Sequence, residues 1–129
     1  MPVEESGRRL REERDMLANV DAFGSPVATA RFMGGREYEA ISGQDARPNL
    51  PALLNVIERR AMALPSFASG GPFAGRPGSL LNAESLSGSE RASMATLYVA
   101  LMTELLIEAL GARGDVLVDG PLATNPYFG

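Results

Sequence analysis

A loop near the end of the chain, residues 119–125, holds the side chains best suited to meeting a ligand. Gly120 lets a backbone approach a bound group closely, and Asn125 can cap a helix or hydrogen-bond a ribose or a base edge. The loop follows a short apolar run, residues 115–118. Ligands bind beyond the carboxyl ends of strands in α/β sheets, so the position favours a binding loop; an ordinary connection between a strand and a helix is the alternative.

A second glycine-rich segment, SGGPFAGRPG at residues 69–78, has Gly70 and Gly75 at the spacing of a Walker A phosphate loop. Arg76 and Pro77 stand where that signature requires Lys and Ser or Thr, and a proline has no N–H to offer a phosphate. The signature therefore fails. The segment is predicted to be a flexible surface loop.

A third candidate is MGGRE at residues 33–37, where Arg36 would meet an anion if the segment formed a corner after a strand. A pair of adjacent glycines is more often a turn. We therefore predict a turn, with Arg36 and Glu37 solvated or paired with neighbouring charges.

Composition excludes several kinds of chemistry. All twelve basic residues of this 129-residue chain are Arg, and it has no His, Cys or Trp. An imidazole base, a thiolate nucleophile, a zinc site of the usual ligands, a Schiff base and a P-loop lysine are all absent. The net charge of −4 argues against a nucleic-acid partner, which would favour a basic face.

No membrane partner is expected. The N-terminus is charged and has no apolar centre, so it does not look like a signal peptide. The longest uncharged apolar stretch, residues 92–103, is too short to cross a bilayer. We therefore predict a cytoplasmic location.

The elements that must position the candidate loops begin with a hairpin. Residues 1–15 are predicted to be a flexible, charged lead-in. Two extended runs follow, residues 16–20 and 26–33, and the Asp and Gly in their five-residue connection favour a β-hairpin. Residues 16–129 are then treated as one partial domain.

Two helices are expected next. Apolar residues from Leu50 recur at helical spacing as far as Leu64, with Asn49 as the cap and Pro65 ending the helix. A loop is predicted for residues 66–88. The pair Ser87 and Glu90 then forms a capping-box pattern before an apolar helix that ends at Gly111.

This second helix is apolar almost all round, so we expect it to lie at the centre of the fold. Residues 115–118 are predicted to be a buried strand of a parallel sheet. Another helix should begin near Asn125 and Pro126, and the chain ends before it is complete. These residues alone predict an incomplete α/β domain and name no reaction.

Four segments in order resemble the FGGY family of carbohydrate kinases, in particular its L-fuculokinase- and xylulokinase-like branch. The resemblance covers about residues 15–129 and no single motif is decisive; the segments are NVDAFGSPVATARFMGGREYE (19–39), ALPSFASGGPFAG (63–75), SERASMATLYVALMTELL (89–106) and VLVDGPLATNPYF (116–128). It implies an incomplete actin-like (ribonuclease H-like) ATPase domain, the C-terminal nucleotide-binding domain of such a kinase.

The resemblance also implies an activity for the complete enzyme, the transfer of the γ-phosphoryl group of ATP to a sugar hydroxyl with Mg²⁺. The catalytic Asp of the family lies in a domain that this chain lacks, so no catalytic residue is assigned and the chain alone is expected to be inactive. Sugar, ATP and either the missing kinase domain or a second copy of the chain are the implied partners.

Three residues of this chain match the adenosine-binding motif of the family, G-G-G-A-x-N. Gly120, Ala123 and Asn125 match its first, fourth and last positions, whereas Pro121 and Leu122 replace its second and third glycines. The alternative function is a stand-alone, non-catalytic binding or oligomerisation module derived from a kinase domain.

Overall fold

The computed structural model describes residues 4–5, 8–43 and 46–129. Its elements are six short strands, three helices and two 3-10 turns among these residues. The strands form three separate antiparallel pairs, and the first of them joins β1 (Glu4–Glu5) to β2 (Arg8–Arg9). The rest of the predicted lead-in is described only in part, and its boundary at residue 15 stays a prediction.

The predicted hairpin is confirmed. Strands β3 (Met16–Val20) and β4 (Pro26–Ala30) pair along their whole length. The Asp21 carboxylate closes the turn by accepting the backbone N–H groups of Phe23 and Ser25 at 2.8 and 2.9 Å. The second strand stops at Ala30, before the predicted residue 33.

The turn predicted at residues 33–37 is wrong, because helix α1 (Gly34–Ser42) begins there. Gly34 is closely packed: a Cβ atom at this position would lie 3.1 Å from the Phe32 ring. Glu37, predicted to be solvated or paired with a charge, is 1 % exposed and accepts a hydrogen bond from the Ser66 hydroxyl at 3.1 Å. Tertiary packing therefore outweighs the turn preference of the two glycines.

Helix α2 (Leu50–Glu58) begins as predicted, since Asn49 Oδ1 accepts the Ala52 N–H at 2.9 Å. It ends six residues before the predicted end at Leu64. Arg60 adopts a left-handed backbone with φ of 54°, which helix geometry does not allow.

Residues after this stop form a strand instead of a continued helix. Strand β5 (Met62–Leu64) pairs with β6 (Ser79–Leu81), and the predicted loop 66–88 therefore contains a strand. The Asn82 side chain donates to the Arg60 carbonyl at 3.0 Å, so the partner strand stabilises the backbone that stops α2.

Helix α3 (Gly88–Leu110) confirms the prediction of a central, capped helix. Its capping box is complete, with Ser87 and Glu90 each accepting the backbone N–H of the other, and Gly111 ends it with φ of 66°. The helix packs against α1, α2 and β5. The core along it is apolar, and its buried members include Ile41, Val56, Ala61, Met94, Ala95, Tyr98, Val99 and Met102.

Taken as a whole, α3 is 23 residues long and apolar enough to span a membrane, which the stretch 92–103 alone did not indicate. However, 44 % of its most apolar window is buried by the chain itself. Its N-terminal half lies against α1 and carries a buried Ser93 and Thr96. The apolar composition of α3 is therefore explained by its place in the core of this fold.

The buried strand predicted at residues 115–118 is not formed. The segment pairs with no strand within the described residues, and Val116, Leu117 and Val118 are 59, 93 and 42 % exposed. A central strand of a sheet needs neighbours on both edges, and the described part of the chain supplies none here. The result is a mixed α/β body with small sheets.

Candidate functional site

A cavity of about 820 Å³ lies between the start of α1, residues 46–48 and the loop that sequence analysis favoured. Ligand sites commonly have volumes of about 300–1,000 Å³. Charged side chains of both signs and an aromatic ring line it, and its lining includes Gly35, Tyr38, Arg47, Asp119, Leu122 and Asn125. This cavity is the candidate site.

Asn125 lines the cavity and also fixes the loop to α3. Its Nδ2 donates to Thr96 Oγ1 at 2.9 Å, and its Oδ1 accepts the Tyr127 N–H at 3.0 Å. An amide nitrogen carries two hydrogens, so one donor is left for a ligand. The helix expected after Asn125 appears here as a single turn, in which Phe128 N–H donates to the Asn125 carbonyl at 3.3 Å.

Gly120 and Ala123 belong to the same loop but are not among the residues that line the cavity. They shape it instead: Ala123 N–H donates to the Gly120 carbonyl at 3.0 Å within the 3-10 turn Pro121–Thr124. Gly120 has φ of 83°, a conformation that favours glycine, and no atom lies within 4 Å of where its Cβ would be.

The Leu122 side chain, which replaces an expected glycine, points partly toward the interior of the protein. This residue is half-buried and packs against the core, and its Cδ1 would lie 3.8 Å from a Cβ at Gly34. Pro121, by contrast, is exposed at the cavity. Of the two residues that replace the expected glycines, Pro121 therefore changes the accessible surface more than Leu122.

Tyr38 and Arg47 were missed by sequence reasoning. Tyr38 is half-buried on α1 one turn after Gly35, whereas Arg47 is exposed and forms no ion pair or hydrogen bond with the described residues. An unpaired guanidinium beside an aromatic ring suits an anionic, planar ligand. The sequence signal that could have found Tyr38 is its helical spacing of three residues from Gly35. This spacing is overlooked when the two glycines are interpreted as a turn.

Buried contacts hold the α1 wall of this cavity in place. Arg91 of α3 donates from Nε to the Ile41 carbonyl at 3.0 Å. The Tyr98 hydroxyl and Glu37 Oε2 are buried together, and neither makes a hydrogen bond of normal geometry with the described residues. Burial, and then the neighbouring Glu37 carboxylate, raise the pKa of Tyr98, so this phenol stays neutral. The wall is therefore part of the rigid core.

The glycine-rich segment 69–78 binds a carboxylate of the chain itself. Gly71 N–H donates to Asp15 Oδ2 at 2.8 Å, and Arg31 forms an ion pair with Asp15 at 3.3 Å. The Gly71 N–H and then the Arg31 guanidinium hold the pKa of Asp15 below its usual range. Gly71 and Pro72 are buried, so the prediction of a surface loop is wrong for these two residues.

The described residues do not form a complete Mg²⁺ site on their own. Within residues 4–5, 8–43 and 46–129, no three Asp or Glu side chains lie together. At nucleotide sites Mg²⁺ is commonly held by one or two carboxylates together with the phosphates of the substrate. Among the described residues that line the cavity, the one acidic side chain is that of Asp119, which accepts the Gly120 N–H at 2.7 Å. We derive no step through a metal from this chain.

The chain is similar to known carbohydrate kinases. Its whole length, residues 1–129, matches the family described as carbohydrate kinase FGGY, C-terminal domain. A carbohydrate kinase from Novosphingobium aromaticivorans, known from its crystal structure, is 37 % identical with a TM-score of 0.81 over 92 % of this chain. The chain spans 28 % of the length of that kinase. A search among curated proteins finds no match.

The whole-chain match and the shared fold agree with the four segments that carry the resemblance in the sequence. At 37 % identity a TM-score of 0.81 reflects common descent as well as a common fold. The chain belongs to the FGGY carbohydrate kinase family, as its C-terminal domain.

Proposed function

We propose that this chain forms the nucleotide side of an ATP-dependent carbohydrate kinase that transfers the γ-phosphoryl group to a sugar hydroxyl. The observation that carries the proposal is the cavity of about 820 Å³, because the loop matched to the adenosine-binding motif forms one of its walls. Phosphoryl transfer depends on positioning and on charge stabilisation, so a domain that only holds the nucleotide contributes directly.

ATP supplies the phosphoryl group, and the residues of this chain bind and orient it. The Tyr38 ring offers an apolar face to the base, and Asn125 keeps one amide donor for a ribose or a base edge. Gly120 leaves the backbone open for close approach. Arg47 meets the negative charge of the phosphates, since no side chain of the described residues neutralises it.

Nothing in this chain takes the role of catalytic base in the proposal. Asp15 and Glu90 are engaged in structural hydrogen bonds, and Glu37 is buried away from the cavity lining. The proposal assigns the sugar site and the base to the rest of the kinase. In this proposal the chain is cytoplasmic and inactive on its own.

The test is nucleotide binding by the chain, measured by calorimetry with ADP and ATP. Arg47→Ala should weaken binding about tenfold, which corresponds to about 1.4 kcal/mol for a lost charge-assisted contact. Arg113→Ala is the matched control, because Arg113 is equally exposed and lies outside the cavity lining. Equal losses for both variants, or no binding at all, would reject this site.

A second assay separates binding from catalysis. The chain is incubated with ATP, Mg²⁺ and a panel of ketoses and deoxy sugars, and ADP release is followed. We expect no sugar-dependent turnover. Turnover by the chain alone would contradict the assignment of the base and the sugar site to the rest of the kinase.

A further inference from the structure

Three hydroxyl side chains of α3 bond back to their own helix. Ser93, Thr96 and Thr103 each donate to the carbonyl four residues earlier, at 2.8, 2.8 and 2.7 Å. Of these three oxygens, that of Thr96 also accepts a hydrogen bond within the described residues, from Asn125 Nδ2 at 2.9 Å. Thr96 is 1 % exposed, and a buried polar group is unfavourable unless it is bonded. Its contact with Asn125 gives this buried hydroxyl a second bond, to a residue that lines the candidate site.

The two partners of the Asn125 side chain determine which way its amide points. The Thr96 hydrogen is engaged with the Ala92 carbonyl at 2.8 Å, so the Thr96 oxygen is left as an acceptor and faces the amide nitrogen. The Tyr127 backbone N–H is a donor, and it faces the amide oxygen at 3.0 Å. Turning the amide over would place acceptor against acceptor and donor against donor. The amide therefore has one favourable orientation.

This orientation determines what Asn125 can offer to a ligand. The amide nitrogen carries two hydrogens, and the bond to Thr96 uses one of them, so the other stays available as a donor. Asn125 lines the cavity, whereas Thr96 is buried and is not among the lining residues. Any effect of Thr96 on a ligand must therefore pass through Asn125.

We propose that Thr96 is a positioning residue of the candidate site: it holds the Asn125 amide so that an N–H group is offered to the nucleotide. The nucleotide then contributes a hydrogen-bond acceptor at this point, a ring nitrogen of the base or a ribose oxygen. This inference rests on the proposed function, in which the cavity binds ATP. It adds a residue that the motif of the loop does not contain, because Thr96 lies 29 positions before Asn125.

The first measurement needs no nucleotide. In NMR spectra of the chain, the Nδ2 hydrogen of Asn125 that faces Thr96 should resonate downfield of an exposed asparagine amide, as a hydrogen bond requires. Thr96→Val removes the accepting oxygen at similar size and should return this signal to the exposed position. Thr96→Ser keeps the hydroxyl and should keep the shifted signal. A parent signal at the exposed position would overturn the proposal, even if Thr96→Val does not fold.

The second measurement is ADP affinity by calorimetry. Thr96→Val should weaken ADP binding about fivefold, as expected for a hydrogen bond that is no longer held in place. Thr96→Ser should stay within about twofold of the parent. Thr103→Val is the matched control, because Thr103 makes the same bond to its own helix and none to Asn125. Equal losses for Thr96→Val and Thr103→Val would indicate a general effect on α3 and overturn the proposal.

A double-mutant cycle then tests whether Thr96 acts through Asn125. On the Asn125→Ala background, Thr96→Val should weaken ADP binding by less than about twofold, because the amide that it positions is gone. A full fivefold loss on this background would contradict positioning. If the parent chain does not bind ADP, the proposed function fails, whereas the amide signals recorded without nucleotide still decide whether Thr96 orients Asn125.

Discussion

The strands of the hairpin β3–β4 and the segment 115–118 are both short and rich in apolar residues, but only the hairpin strands are paired. Every residue of β3 has a partner in β4, and the Asp21 turn closes the pair. Residues 115–118 have no partner strand within the described part of the chain. The comparison shows that a local sequence can favour a strand, whereas pairing also requires a second strand that can lie elsewhere in the sequence.

The difference lies in where each partner is encoded. An antiparallel partner can follow after a short turn, as Pro26 follows Val20. A parallel partner requires a crossover of a dozen residues or more, and its sequence can lie far away in the polypeptide. A strand-like composition without a local partner therefore predicts no pair by itself, and residues 115–118 form none within the described residues.

The largest contrast should come from removing an apolar side chain in each environment. Ile41 is fully buried between α1 and α3, so Ile41→Ala should lower the free energy of unfolding of the chain by about 2–5 kcal/mol. Leu117→Ala should change it by less than about 0.5 kcal/mol, because the side chain is already in water. Urea unfolding measures both, and similar losses would mean that Leu117 is covered in the chain itself.

A smaller effect is expected where the hairpin is tied to the body. Asp15 joins β3 to the glycine-rich segment through Gly71 and Arg31. Asp15→Asn keeps a side chain that tolerates the left-handed φ of 59° but removes the charge, and it should cost about 1 kcal/mol of unfolding free energy. No loss would mean that strand pairing alone holds the hairpin in place.

The same contact gives a dependence on pH. Because the pKa of Asp15 is lowered from 3.8 in the folded chain, its stabilisation is complete above that value and is lost as the pH falls through the folded pKa. Stability of the parent should therefore fall more steeply than that of Asp15→Asn below about pH 4, the ordinary pKa of an aspartate. Parallel acid titrations of the two, followed by circular dichroism, provide the check.

Local signals predicted much of the fold. The hairpin followed from the Asp and Gly of its turn, and the start of α2 and both ends of α3 from Asn49, Ser87, Glu90 and Gly111. The errors lie where distant contacts decide. Helix α1 begins at Gly34 and packs along α3, and α2 stops where Asn82 binds the Arg60 carbonyl. Neither partner is visible as a local pattern.

The candidate site was predictable to a similar extent. Asn125 was found through its place in a motif, and the structure brings it to the cavity. Tyr38 and Arg47 come from a different part of the chain, so only the packing of α1 beside the loop brings them there. Gly120, Ala123 and Asn125 as nucleotide contacts remain a prediction, which binding measurements will decide.

The last prediction concerns the N-terminal cap of α3, where we expect a small loss of unfolding free energy. Ser87→Ala removes one half of the capping box and should cost about 1 kcal/mol. The Ser87 N–H and hydroxyl lower the pKa of Glu90, so Ser87→Ala should bring that pKa, followed by NMR, closer to its ordinary value. Since the cap needs only neighbouring residues, the loss should be the same with and without Leu117→Ala. A loss that differed between the two backgrounds would show that residues 115–118 also affect the start of α3.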